Sequence, residues 1–181
     1  ASFAGQQESY LAVVGADAVV AAYRRCVVSL FGDRAVAYRE EQGVGHLDIA
    51  LSVGVQQMVR SDVGGSGVIF TLDPESGFGD MVLVDAAWGL GESVVGGVVD
   101  CDRTRILKSL LDRDGASGIV SRALGRKEVK VVLSRDGGTV TVDTTAEERA
   151  RFVLDAEETR QLARWACAIE SHYGRPMDIE W

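Results

Sequence analysis

Near its C-terminus the sequence ends a helix and begins a strand within a few residues, which limits how the chain can pack. The run Leu162, Trp165, Ala166, Ile169, Tyr173 has the spacing of a buried helical stripe, opened by Asp155 with Glu158 three positions on, a capping box. Gly174 then offers a left-handed exit and Pro176 forbids continuation. The chain must therefore extend through Met177–Trp181. An extended segment alternates faces, so Asp178 and Glu180 point one way, roughly 7 Å apart, and Met177, Ile179 and Trp181 the other. Two carboxylates on a half-buried strand are costly unless a cation offsets them. Mg²⁺ suits such hard oxygen donors, because it takes one or two protein carboxylates and leaves its other positions to water and phosphate. The competing interpretation is plain edge polarity, with Asp178 a strand-edge polar group and Glu180 a surface acid.

A chain of 181 residues suits one domain, or two lobes around one cleft. Its net charge of −8, with no Lys/Arg stripe to offset it, argues against nucleic acid or an anionic membrane as the main partner. An anionic substrate would need local help from a metal or from backbone amides. Cys26, Cys101 and Cys167 are odd in number and form no CxxC pair, so packing thiols in a reducing cytoplasm are expected rather than a disulfide framework or zinc site. No apolar run approaches the ~18 residues of a membrane helix. The first residue is not methionine and the last falls inside an apparent strand, so the expectation is a piece of a larger protein.

Read from the start, residues 8–14 suggest a short strand closed by Gly15. Asp17 then opens a helix with Val19, Val20, Tyr23, Val27, Leu30 and Phe31 as its core-facing stripe. Gly32 interrupts it, a second helix runs from Asp33 to about Gln42, and residues 43–46 form a turn. Apolar runs of strand length follow at 51–60, 67–72, 81–87, 99–107, 119–124, 127–133 and 139–143, with Asp136-Gly137-Gly138 as a hairpin turn. The expected fold class is α+β, an antiparallel-rich middle flanked by helices.

Glycines cluster at Gly64-Gly65-Ser66-Gly67, Gly89-Leu90-Gly91-Glu92 and Gly96-Gly97. Such clusters can expose backbone N–H groups to a phosphate, or simply serve turns and bulges. Neither a G-x-x-x-x-G-K-[ST] nor a G-x-G-x-x-G string occurs, so the P-loop and Rossmann possibilities lose their main support. His46 and His172 fit surface or capping roles better than catalysis, and Trp88 and Trp165 are expected in the core.

Four strings carry a resemblance: Ser2-Phe3-Ala4-Gly5-Gln6-Gln7-Glu8-Ser9-Tyr10; Val55-Gln56-Gln57-Met58-Val59-Arg60-Ser61-Asp62, continuing through 67–73; Trp88-Gly89-Leu90-Gly91-Glu92; and 172–181, His-Tyr-Gly-Arg-Pro-Met-Asp-Ile-Glu-Trp. In that order they resemble the nucleotide-binding part of the family that includes phosphoenolpyruvate synthase, pyruvate phosphate dikinase and rifamycin phosphotransferase. The resemblance implies a partial ATP-grasp domain over residues 1–181, with ATP and Mg²⁺ as cofactors. By matching position, Gly5, Gln6 and Ser9 would approach the phosphates, Gln56 the adenine, Glu92 the phosphate or metal region, and Glu180 the Mg²⁺. It also implies a β-phosphoryl transfer to a histidine on a separate swivelling domain and then to pyruvate, giving phosphoenolpyruvate, AMP and phosphate. The isolated piece would be inactive, its partners being ATP, the remainder of its parent chain and, through that, pyruvate; a homo-oligomer stays open. Arg60-Ser61-Asp62 and residues 72–78 favour the synthase over the antibiotic phosphotransferase, and a non-catalytic nucleotide-responsive module is the further alternative. Val99-Asp100-Cys101-Asp102 departs from the Asn-Pro-Asp-like turn common in that family.

Overall fold

A computed structural model describes residues 5–111, 113, 117–135 and 137–181. Ser2-Phe3-Ala4, the head of the first string, and Asp136 of the expected hairpin turn lie outside the described residues. The described chain mixes helices with antiparallel sheet, the expected α+β class. It divides into two compact units, Ala1–Val59 with Leu133–Thr139, and Arg60–Val132 with Val140–Trp181.

The second unit is built on five strands: β1 (Gly65–Phe70), β2 (Met81–Trp88), β3 (Asp102–Leu107), β4 (Ile119–Ala123) and β7 (Asp178–Glu180). They form one antiparallel sheet in the order β4-β3-β2-β1-β7, which places β4 and β7 at opposite edges. Alternation sorts the side chains. Ile69, Val82, Val84 and Ile106 point to one face, where they bury with Ala163 and Ala166, and Ile179 and Trp181 pack against this cluster. Each large aliphatic side chain so buried contributes about 1.5–3 kcal/mol.

The helix on that face is α5 (Ala156–Tyr173). Its capping box is formed: the Glu158 N–H donates to the Asp155 carboxylate at 2.8 Å, and the Asp155 N–H donates to the Glu158 carboxylate at 2.8 Å. Gly174 ends it in the left-handed region at φ 66°. The expected stripe is met in part: Ala166 is buried and Leu162 packs on the core, but the two aromatics do not join them. Thr159, Ala163 and Ala166 are the buried residues, whereas Trp165 and Tyr173 stand 58% and 59% exposed. Small residues let the helix lie close to the sheet, and the aromatics fall outside that contact. Trp88 is only half-buried, its Nε1 donating to the Glu148 carbonyl at 2.9 Å.

Two shorter helices of this unit were not expected, α3 (Glu92–Val95) and α4 (Ala146–Ala150). α4 opens with a second capping box, Thr145 with Glu148, a signal present in the sequence. Strands β5 (Val129–Leu133) and β6 (Thr139–Asp143) form a separate two-stranded sheet, and its outer end, Leu133–Thr139, groups with the first unit.

In the first unit, α1 (Ala16–Val28) and α2 (Asp33–Gln42) appear at the expected places, on either side of Gly32. Of the expected α1 stripe, Leu30 is buried while Val20, Tyr23 and Phe31 are exposed. Residues 8–14 and 51–60 are not strands. A strand needs a partner for its ladder, and in the N-terminal segment side chains take the partner's place. The Glu8 N–H donates to Ser29 Oγ at 3.2 Å, Cys26 Sγ donates to the Glu8 carbonyl at 3.5 Å, and the Ala12 N–H donates to Met58 Sδ at 3.4 Å. Arg34 donates to the Gly5 carbonyl at 3.0 Å, and the Arg25 guanidinium sits 4.0 Å from the Tyr10 ring centre. The segment is therefore laid along the helices and not into a sheet.

Candidate functional site

The face of the five-stranded sheet opposite α5 carries a cleft of about 620 Å³. Strand register fixes what lies there. One row across the sheet reads Ala123, Arg103, Asp85, Val68, Glu180, and its neighbour reads Ser121, Arg105, Leu83, Phe70, Asp178. An acidic edge on β7 is thus separated by the apolar pair Val68 and Phe70 from an ion pair on β2 and β3. Arg103 holds Asp85 with two parallel bonds of 2.9 Å, and the bond to this carboxylate raises the guanidinium's already high pKa further. The rest of the lining includes Val94 and Val95 of α3, Val99 to Cys101, and Leu124 to Gly125.

Asp178 and Glu180 are both exposed and line this cleft, while Ile179 between them packs on the core, as alternation requires. Two neighbouring hard-oxygen donors fit a Mg²⁺ ion that completes its shell with water and phosphate. Among the described residues no group of three or more His, Cys, Asp and Glu side chains is arranged to hold a metal, so a preformed all-protein cage is not what this face offers. Glu92 opens α3 and is exposed without lining the cleft.

Local electrostatics are uneven. Burial, reinforced by Asp85, Asp100 and Asp102, pushes the Cys101 thiol up to about 11. The Asp100 carboxyl is held below its ordinary range, first by the Arg126 backbone N–H at 3.1 Å and then by the Arg126 side chain. Asp85, Arg103 and Asp100 were missed in the sequence. The available signal was a lone Asp in the otherwise apolar β2 and the alternation of Arg103 and Arg105 with Thr104 and Ile106.

The first unit holds a second cavity, of about 1,040 Å³, which gathers Gly5, Ser9 and Gln56. Gly5 has φ 71°, a conformation that glycine adopts without strain. Gln56 is exposed, so its amide is free to meet a ligand edge with both a donor and an acceptor. Gln6 does not line the cavity; its Oε1 is buried and has no hydrogen-bond partner among the described residues. Neither histidine lines either cavity: His46 accepts from Arg39 Nε at 3.4 Å, and His172 stacks edge-on against Tyr173.

The glycine clusters divide by role. A Cβ on Gly65 would collide with Val153, one on Gly67 with the Trp181 ring and the Asp85 carbonyl, and one on Gly89 with the Val131 carbonyl. These three serve close backbone packing. Gly91 would meet only Ser66, at 3.9 Å, and Gly97 nothing within 4 Å.

One unit thus has a sheet with an acidic edge over a cleft, and the other a cavity with a glycine turn and an exposed glutamine. The chain belongs to the pyruvate phosphate dikinase AMP/ATP-binding domain family, which it matches over residues 1–181. It is 50% identical to the phosphoenolpyruvate synthase of Pseudomonas aeruginosa and 49% identical to that of Escherichia coli, in each case over 100% of this chain and 23% of the relative. The phosphoenolpyruvate synthase of Aquifex aeolicus is 48% identical over 100% of this chain and 22% of its own length. The chain thus spans less than a quarter of these curated relatives.

Proposed function

We propose that this chain is the ATP-binding portion of a phosphoenolpyruvate synthase, organised as part of an ATP-grasp fold and working in the cytoplasm. The parent enzyme moves the β-phosphoryl group of ATP to a histidine on another domain and from there to pyruvate, releasing AMP and phosphate. Family membership and identities near one half over the whole chain support this. The observation that carries the site assignment is the placement of Glu180, with Asp178, on the open face of the sheet while Ile179 is packed on the core.

In this reading Ser9 and the Gly5-Gln6 turn hold the phosphates, Gln6 through the backbone and not its buried side chain, and Gln56 reads the adenine edge. Glu180 and Asp178 are the residues that would hold Mg²⁺, and Glu92 is the peripheral candidate. When bound, Mg²⁺ supplies neutralisation of triphosphate charge, the main requirement of phosphoryl transfer. The chain's own residues orient the nucleotide, and the phosphoryl acceptor lies outside them.

The test is Glu180→Gln in the natural full-length protein. ATP- and pyruvate-dependent AMP formation should fall about 10²–10³-fold, the usual effect of removing one electrostatic contact to a reacting group. The melting temperature should hold, because the side chain is exposed. Undiminished AMP formation removes Glu180 from the site. AMP formation that requires a rifamycin in place of pyruvate transfers the whole assignment to the antibiotic phosphotransferase.

A further inference from the structure

Lysine is rarely enclosed without a reason, yet Lys127 has 0% exposure. Its ammonium forms an ion pair with Asp102, itself 3% exposed, and donates to the Gly125 carbonyl at 3.0 Å. The Asp102 carboxylate also accepts from two backbone amides, Gly125 at 2.9 Å and Val153 at 2.8 Å. Around this pair residues 99–102 and 123–127 are tied directly. The Lys127 N–H donates to the Asp100 carbonyl at 3.1 Å, and Thr144 Oγ1 donates to the Lys127 carbonyl at 2.5 Å. A Cβ at Gly125 would run into the backbone of Asp100 and Cys101, so the two segments cross in contact. Lys127 itself adopts φ 44°, unusual for a side-chain-bearing residue and maintained here by those bonds.

Stability alone is a poor explanation, because a buried ion pair often does no better than apolar residues of the same volume. Its position suggests a different one. The segments it ties, 99–101 and 123–125, form the wall of the Glu180 cleft at the β4 side of the sheet, while Asp178 and Glu180 form the side at β7. Four strand spacings separate those edges, about 19 Å, so this wall bounds the cleft on the side away from the acidic edge.

We propose that Lys127 and Asp102 are positioning residues for the nucleotide site: the buried pair fixes the far wall of the cleft so that a nucleoside triphosphate held at Glu180 meets a preset surface. The proposal rests on the ATP-binding reading above. Neither residue touches the ligand. Its effect belongs on affinity and not on the chemical step.

The experiment compares Lys127→Met, Asp102→Asn and the double variant in the natural full-length protein. Calorimetry measures binding of ATP with Mg²⁺, steady-state rates give KM and kcat, and amide exchange is followed at Gly125 and Val153. Each single variant leaves a buried partner unmatched and should lower the melting temperature. The double variant removes both charges and should recover most of that loss, while KM for ATP stays raised about tenfold, a factor worth about 1.4 kcal/mol of binding, kcat is held, and the Gly125 amide exchanges faster. If KM and exchange return to wild-type values together with the melting temperature, the pair only stabilises and the proposal is overturned. If the double variant stays as destabilised as the singles, Thr144→Val, which frees the Lys127 carbonyl and keeps both charges, must raise KM for ATP without lowering kcat; an unchanged KM there refutes it. Failure of the wild-type protein to bind ATP with Mg²⁺ refutes the functional reading itself and this proposal with it.

Discussion

Gly67→Ala tests whether the sheet and the acidic edge are one mechanical unit. The position lies in β1 beside Trp181, and the two residues exchange backbone bonds of 3.0 Å in each direction. An added Cβ would lie 2.7 Å from the Trp181 ring and closer still to the Asp85 carbonyl. The ring could swing aside, but the carbonyl belongs to the β2 ladder and cannot. Overpacking of this kind costs about 1–3 kcal/mol. Loss of the two bonds to Trp181 adds about 1 kcal/mol each, for a total of about 3–5 kcal/mol. Because Trp181 adjoins Glu180, peeling β7 away should also weaken Mg²⁺-dependent ATP binding. Urea titration followed by tryptophan fluorescence reads the first effect and calorimetry the second. Gly54→Ala is the control, since a methyl there would meet nothing within 4 Å and its backbone is unstrained; it should change stability by less than about 0.5 kcal/mol. A loss below about 1 kcal/mol for Gly67→Ala would refute the claim that the approach of Trp181 demands glycine.

Two further expectations follow from titration. Burial opposes ionisation of Glu148, but bonds from Lys130 and Thr145 outweigh it and hold the carboxyl below its ordinary 4.5. A depressed acid stabilises the fold fully above its unfolded value, and that contribution disappears as pH falls through the lower folded value. Thermal melts from pH 6 down to pH 3 should therefore steepen below about 4.5, and Glu148→Gln should flatten that slope; an identical slope refutes the assignment. The Cys101 thiol, pushed up to about 11, should resist iodoacetamide at pH 8 until urea is added, and alkylation at the rate of the denatured chain contradicts the burial described.

What the sequence revealed depended on whether local chemistry or a distant partner decides each element. The α5 capping box, the Gly174 exit and the division of Asp178 and Glu180 from Ile179 are local, and each was legible. Strands at 67–72 and 81–87 were legible because hydrophobic runs bounded by turns suit a buried sheet. Residues 8–14 and 51–60 have the same look, but strand identity also requires a ladder partner, and Ser29, Cys26 and Met58 intervene instead. Trp165 offers far more apolar area to bury than Ala163, yet close helix–sheet packing selects the small residue. The Lys127 pair was hidden for a similar reason: a lysine in a charged stretch, Arg126-Lys127-Glu128, gives no local sign that the fold will enclose it.

The strand bearing Glu180 also sets a timetable. It is the last strand of the described residues but pairs with the first strand of its sheet, the Met177 N–H donating to Thr71 Oγ1 across 106 positions. During synthesis, the sheet's four other strands and the long helix leave the ribosome before the acidic edge does, so the sheet waits with one margin bare. On the proposed assignment, the edge that would hold an ion forms only once that strand pairs, so a nascent chain interrupted before it would lack that edge.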